Sequence, residues 1–182
     1  MHTIGSLNAK PMVTGPQTPG LDPLTWLPNR VLFEARLVSA VRDVQRRRGS
    51  LALLLIDLDR MELVNASLGH DFGDRILHQA AARMARALGP AAMLARLESD
   101  DFAAFIEVPD HAAAMKHAAL LLEACGEPYV VECLAAIVTV SIGIALHPRD
   151  ADDPATLFAR AERSLNKAKI RGRARSYPGA AT

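Results

Sequence analysis

The chemistry this sequence offers lies in two pairs of carboxylates. Leu51 to Ile56 is an almost unbroken aliphatic run that ends at Asp57, with Asp59 two residues on. Asp100 and Asp101 lie between two short apolar segments, Ala92 to Leu97 and Phe102 to Val108. Clustered acidic oxygens suit Mg²⁺, which takes one or two protein carboxylates and completes its shell with phosphate oxygens and water. A nucleoside triphosphate supplies such oxygens. A metal held there would neutralise a phosphoryl group and polarise an attacking hydroxyl, so the chemistry would be nucleotidyl transfer. Each pair also has a plain structural reading, as acids that end a strand in solvent and as ordinary turn residues.

Whether the pairs meet depends on the elements that carry them. The aliphatic run reads as a strand covered on both faces, with the Asp57 carboxylate at its edge. The two short apolar segments around Glu98, Ser99, Asp100 and Asp101 read as a hairpin with an acidic tip. A first helix starts at Asn29, with Val31, Leu32, Leu37, Val38 and Val41 as its apolar positions, and stops at Arg46 to Arg48 and Gly49. Asp74 is placed to cap a second helix whose core face is Ile76, Leu77, Ala80, Ala81, Met84 and Leu88, ended by Gly89 and Pro90. Asp110 caps a helix from His111 to Cys125, Ile137 to Ala145 is a strand, and Asp153 with Pro154 opens a last helix through Lys169. From Leu51 the order is βα, ββα, β. That is the ferredoxin-like split βαβ arrangement, an α/β fold with a central, mainly antiparallel sheet flanked by helices. It sets the end of the first strand beside the hairpin tip, so Asp57 is expected to meet Asp100 and Asp101.

Composition bounds the rest. Half of the 182 residues are hydrophobic, enough for one core. Lys and Arg total 21 against 20 for Asp and Glu, so no overall field draws nucleic acid or an anionic membrane. Cys125 and Cys133 have neither disulfide-framework density nor zinc spacing, which favours a reducing compartment. No apolar run approaches a membrane span, and a soluble cytoplasmic protein is expected. Residues 1–20 read as a linker or chain end, 21–176 as the folded domain and 177–182 as a tail. Met61, Met84, Met93 and Met115 are expected to fill core gaps, and His78, His111, His117 and His147 to lie at the surface or at helix ends. Lys169, Arg171, Arg173 and Arg175 form either a phosphate clamp or a solvated helix end that complements the dipole.

Four segments in order carry a resemblance: DPLTWLPNR at Asp22 to Arg30, LLLIDLDRMELVNASLGHDFGD at Leu53 to Asp74, VTVSIGIALHP at Val138 to Pro148, and AERSLNKAKIRGR at Ala161 to Arg173. Together they resemble the GGDEF family, diguanylate cyclases of palm-type fold that condense two GTP molecules into cyclic di-GMP. The resemblance implies that Asp57, the Leu58 carbonyl and Asp100 hold Mg²⁺ or Mn²⁺, and that Asn65 and Asp74 read the guanine edge. It places Lys169 and Arg173 at the phosphates and makes Asp100 and Asp101 the catalytic acids. His70 would orient the GHDFGD loop.

The signature itself departs from the family pattern. Aligned through Arg96 and Phe102, GGDEF is here Glu98, Ser99, Asp100, Asp101 and Phe102. Glycine at such a tip permits positive φ and close approach to phosphate, whereas Glu98 adds bulk and negative charge. Asp101 is one methylene shorter than the family's glutamate, and Glu62 stands where the family usually has a lysine. Trp26 replaces a glycine in the LTGLxNR turn and reads as a packing anchor. The inhibitory RxxD position falls at Gly89 to Ala92, which has neither Arg nor Asp, so no product-binding site is expected there. The implied function is a catalytically inactive GGDEF module that binds GTP or dimerises as a regulatory unit. Sensory and EAL-type phosphodiesterase domains are expected in a longer chain. The alternatives are an active cyclase working as a homodimer and a scaffold that binds no nucleotide.

Overall fold

Eight consecutive buried residues form β1 (Leu51–Leu58), and they divide by the period of the pleat. Leu51, Leu53 and Leu55 enter one apolar cluster, and Ala52, Leu54, Ile56 and Leu58 enter another. A strand with both faces apolar must be covered twice, and the computed structural model, which describes residues 19–179, shows how. α1 (Arg30–Arg46) and α5 (Pro154–Ile170) pack on the first face, while α3 (His70–Leu88) and α4 (His111–Gly126) pack on the second.

β2 (Met93–Glu98), β3 (Asp101–Glu107), β6 (Val140–His147) and β7 (Ser176–Pro178) join β1 in one sheet of order β2-β3-β1-β6-β7. Only the β6–β7 pair is parallel. This is the expected α/β fold with a mainly antiparallel sheet between helices. Four elements were not foreseen, β7 among them. A short helix α2 (Met61–Leu68) precedes α3, and β4 (Tyr129–Val131) forms a separate hairpin with β5 (Leu134–Ala136).

The caps largely follow sequence logic. Asn29, Asp110 and Asp153 accept hydrogen bonds from Leu32, Ala113 and Thr156 N–H, at 3.0, 2.8 and 2.9 Å. Asp74 is not a cap, because α3 already starts at His70, after Gly69 at φ 86 has broken the chain from α2. GHDFGD is therefore helical rather than a loop, and His70 sits exposed in its first turn. The buried face of α1 is Phe33, Leu37, Val41 and Val44, a cleaner helical stripe than the expected one, and Val31 is 74% exposed.

Other expectations also needed correction. His147 is buried, because β6 extends to pair with the whole of β1; its Nδ1 lies 3.1 Å from the Ala151 carbonyl. Trp26 anchors nothing by packing: it is 61% exposed at φ 60, since the turn from Asp22 to Leu27 needs a left-handed residue there. Tyr177 and Pro178, expected in the tail, form β7 with Ser176, and the Tyr177 ring lies under Arg171 and Lys167. The linker expected over residues 1–20 lies, up to residue 18, outside the described residues, as do 180–182. Among the described residues no helix is long and apolar enough to cross a membrane. Cys125 and Cys133 are both free thiols.

One glycine fixes the helix that carries Lys169. A Cβ at Gly143 in β6 would collide with the Ala161 carbonyl and the Leu165 N–H of α5, so helix and strand touch backbone to backbone. Backbone cannot yield as a side-chain tip can. Gly143→Ala is therefore expected to destabilise the fold by about 2–3 kcal/mol. Urea unfolding midpoints of the two proteins measure this, and equal midpoints would mean that α5 does not rest on β6 at that point.

Candidate functional site

The strand end and the hairpin tip do meet. Asp57 is the cross-strand partner of Asp101, and Leu58 N–H donates to the Asp100 carbonyl at 3.2 Å. The tip itself is irregular, with the β2–β3 register shifting between Arg96 and Glu98 and Ser99 left-handed at φ 45. That conformation costs a residue with a Cβ about 1–2 kcal/mol. Arg96 holds it: Nε and Nη2 donate to the Ser99 carbonyl at 2.9 and 2.6 Å, while Nη1 reaches the Asp22 carboxylate at 3.1 and 3.3 Å. Burial works against ionisation of Asp22, but hydrogen bonds from Thr25 and Arg96 outweigh it and hold the carboxyl below its usual range.

Lys169, in the last turn of α5, donates to Asp57 Oδ2 at 2.6 Å. This pairing does not balance the local charge. Burial is the largest influence on Asp57; with the neighbouring Asp100 and Asp101 it outweighs Lys169 and pushes the carboxyl up to about 6. Asp101 is raised too, again chiefly by burial. Around this pair three acids, Asp57, Glu62 and Asp100, and three bases, Arg60, Lys169 and Arg173, line an open pocket of about 470 Å³. Met61 and Leu63 supply its apolar part.

The residue that sequence reading missed is Asp59. It is buried rather than solvated. Its Oδ2 accepts from Thr139 Oγ1 at 2.7 Å and from Ala174 N–H at 3.2 Å. Its Oδ1 accepts from Ser141 Oγ at 2.8 Å and lies 3.7 Å from Arg173 Nε. Gly172, Arg173 and Ala174 are all left-handed, with φ of 110, 61 and 49. Asp59 thus ties the loop that bears Arg173 to the strand that bears Asp57. The available signal was the hydroxyl at every second position in VTVS, polar groups in an otherwise apolar strand.

The remaining expected site residues divide. Asn65 lies in α2, and its buried Oδ1 has no hydrogen-bond partner among the described residues. That oxygen packs against Gly73 where a side chain would stand: a Cβ there would collide with it. Asp74 follows Gly73 in α3 and is exposed. Neither Asn65 nor Asp74 lines the 470 Å³ pocket, although Met61, one turn before Asn65, does. Glu98 and Ser99 are exposed and also stand outside the lining, whereas Phe102 is core. Gly89, Pro90 and Ala92 border a separate, largely apolar groove of about 580 Å³ whose charged residue is Arg86.

Among the described residues no three His, Cys, Asp or Glu side chains converge to chelate an ion alone. The donors at Asp57 still fit Mg²⁺, which needs only one or two carboxylates when phosphate and water complete its shell. The Lys169 ammonium already stands as a cation against Asp57.

The fold defines an α/β domain of the palm-like nucleotidyl cyclase class. Residues 20–175 match the family described as diguanylate cyclase, GGDEF domain, and the chain belongs to that family. It is 38% identical over 154 residues to the diguanylate cyclase TpbB of Pseudomonas aeruginosa, a match covering 84% of this chain and 35% of TpbB. It is 35% identical over 152 residues to MucR of the same species, a bifunctional diguanylate cyclase and cyclic di-GMP phosphodiesterase, covering 84% of this chain and 22% of MucR. The solved GGDEF domain of TpbB matches with a TM-score of 0.85 and 35% identity, covering 88% of this chain and 94% of that domain. The chain therefore spans about a third or less of these full-length relatives.

The Asp57 environment has a measurable consequence. A carboxyl raised from its ordinary 3.8 to about 6 favours the folded state when protonated. That contribution is complete below the unfolded value and is lost as pH rises through 6. Asp57→Asn mimics the protonated form. The melting temperature of wild type relative to Asp57→Asn is expected to fall between pH 4 and pH 6.5, and parallel melting curves across that range would refute the raised carboxyl.

Proposed function

We propose that this GGDEF domain binds GTP with a divalent metal weakly, does not convert it usefully to cyclic di-GMP, and serves as a GTP-responsive or dimerising unit of a longer signalling protein. The observation that carries the reading is the pocket in which Asp57, Asp100, Lys169 and Arg173 meet. In this reading Asp57, Asp100 and the Leu58 carbonyl hold Mg²⁺ or Mn²⁺, whose charge would offset that of the triphosphate. Lys169 and Arg173 take phosphate oxygens as point charge and guanidinium fork. Asn65 and Asp74 take the guanine edge. The unpartnered Asn65 oxygen supports this, since a buried polar atom left unsatisfied costs about 1–3 kcal/mol that a ligand donor would recover.

The argument against turnover rests on placement. Asp101 is a methylene shorter than the glutamate usual there, and catalytic geometry tolerates little such error. Ser99 occupies a left-handed position that suits glycine. Glu62 lines the pocket with a carboxylate where the family usually has a lysine. Glu98, exposed and outside the lining, weighs less than Glu62. A second reading, an active diguanylate cyclase assembled as a homodimer, is favoured by Asp100, which keeps its place in the pocket. MucR, a cyclase and phosphodiesterase in one chain, supports an EAL-type phosphodiesterase module as a neighbour in the longer protein.

Calorimetric titration with GTP and Mg²⁺ is expected to show binding, with little cyclic di-GMP after prolonged incubation with Mg²⁺ or Mn²⁺. Absence of heat at millimolar GTP would leave only a nucleotide-free scaffold. Cyclic di-GMP formation abolished by Asp100→Ala would establish the active cyclase instead.

A further inference from the structure

Two of the three bases in the 470 Å³ pocket are already engaged: Lys169 Nζ lies 2.6 Å from Asp57 Oδ2, and Arg173 Nε lies 3.7 Å from Asp59 Oδ1. Arg60 is the third. It is exposed, and among the described residues it has no carboxylate within ion-pair distance. It also lines the adjoining pocket of about 390 Å³ with Arg173, so it stands at the boundary between the two cavities.

Its backbone is unusual for a residue with a side chain. Arg60 is left-handed, φ 63 and ψ 30, at the turn from β1 into α2, and its side chain caps none of that helix's N–H groups. Such a conformation costs about 1–2 kcal/mol that glycine would avoid, and outliers of this kind gather at ligand sites. Two residues on, Glu62 adds a carboxylate to the same pocket. Acids and bases lining it are then equal in number. A cation not already committed to a carboxylate adds attraction for a polyphosphate beyond what the paired Lys169 and Arg173 supply.

We propose that Arg60 is a polyphosphate-binding residue of this pocket, its guanidinium fork making the charge-assisted hydrogen bonds that Glu62 cannot. This rests on the GTP pocket proposed above, but only on its phosphate half. It adds Arg60, at the strand-to-helix turn, to Lys169 and Arg173 as a third source of attractive charge.

The test compares wild type, Arg60→Gly and Glu62→Lys by calorimetry with Mg²⁺ and GTP, and separately with Mg²⁺ and inorganic tripolyphosphate. Arg60→Gly removes the guanidinium while suiting the left-handed turn, and an unfolding midpoint at or above that of wild type confirms an intact fold. Arg60→Gly is expected to weaken both ligands about tenfold or more, the size of one charge-assisted hydrogen bond. Glu62→Lys is expected to tighten both, and guanosine binding should be the same in all three proteins. Unchanged affinities in Arg60→Gly would overturn the assignment. Tripolyphosphate binding that Arg60→Gly loses, in a protein that ignores GTP, would sustain Arg60 and sink the guanine reading. A wild-type protein that binds neither ligand would end both.

Discussion

Two hydroxyls, a backbone amide and a guanidinium converge on the buried carboxylate of Asp59. A carboxylate removed from water is costly unless its oxygens are hydrogen-bonded, so these partners are obligatory. They come from three places: Thr139 just before β6 with Ser141 near its start, Ala174 after α5, and Arg173 beside it. Through this one side chain the end of β1, the start of β6 and a run of left-handed residues become a single unit. The placement of Arg173 over the pocket depends on it. The close contact of α5 with Gly143 does the same for Lys169, one turn beyond Leu165.

Asp57, two residues earlier and inside β1, has the opposite environment. It is buried to a similar degree but meets one ammonium and two other acids instead of a set of donors. The two residues are chemically identical, one near the end of the strand and the other just past it. Their difference comes from what the neighbouring elements present: β6 offers hydroxyls at Asp59, and the β2–β3 tip offers carboxylates at Asp57. Burial and the neighbouring acids push the Asp57 carboxyl up to about 6, at the wall of an open, charged pocket. Asp59, fully satisfied, is the scaffold for it.

Much of this was legible in the sequence, for identifiable reasons. The aliphatic run of β1, the Asn29, Asp110 and Asp153 caps and the acidic hairpin tip are local signals, and the order of elements then dictated that Asp57 and Asp101 meet. What was not legible depended on partners far along the chain. Asp59 looked like a solvated acid because Thr139, Ser141 and Ala174 are some 80 residues or more away. His147 looked terminal until β6 was matched in full to β1. Trp26 was assigned by its side chain, whereas the turn was decided by its backbone, with Trp26 N–H donating to the Asp22 carbonyl at 2.9 Å. Gly69 divides one expected loop into two helices, and Asp74 moved from a cap to a helix surface as a result.

The hairpin tip keeps its shape through contacts of its own rather than through the core. Ser99 adopts the left-handed conformation that a glycine would take more easily, and it stays there because Arg96 grips its carbonyl while anchored to Asp22. The turn therefore holds its shape with a side chain at Ser99, and Asp100 lines the pocket. Likeness to the TpbB domain follows from the β1-centred core and its two helical layers, to which Glu62, Glu98, Ser99 and Asp101 contribute little. Glu62 and Glu98 are exposed, and exposed positions are the ones a core constrains least. In the reading proposed above, turnover is lost while the fold is kept, because the residues that would decide it are attached to the core without being part of it.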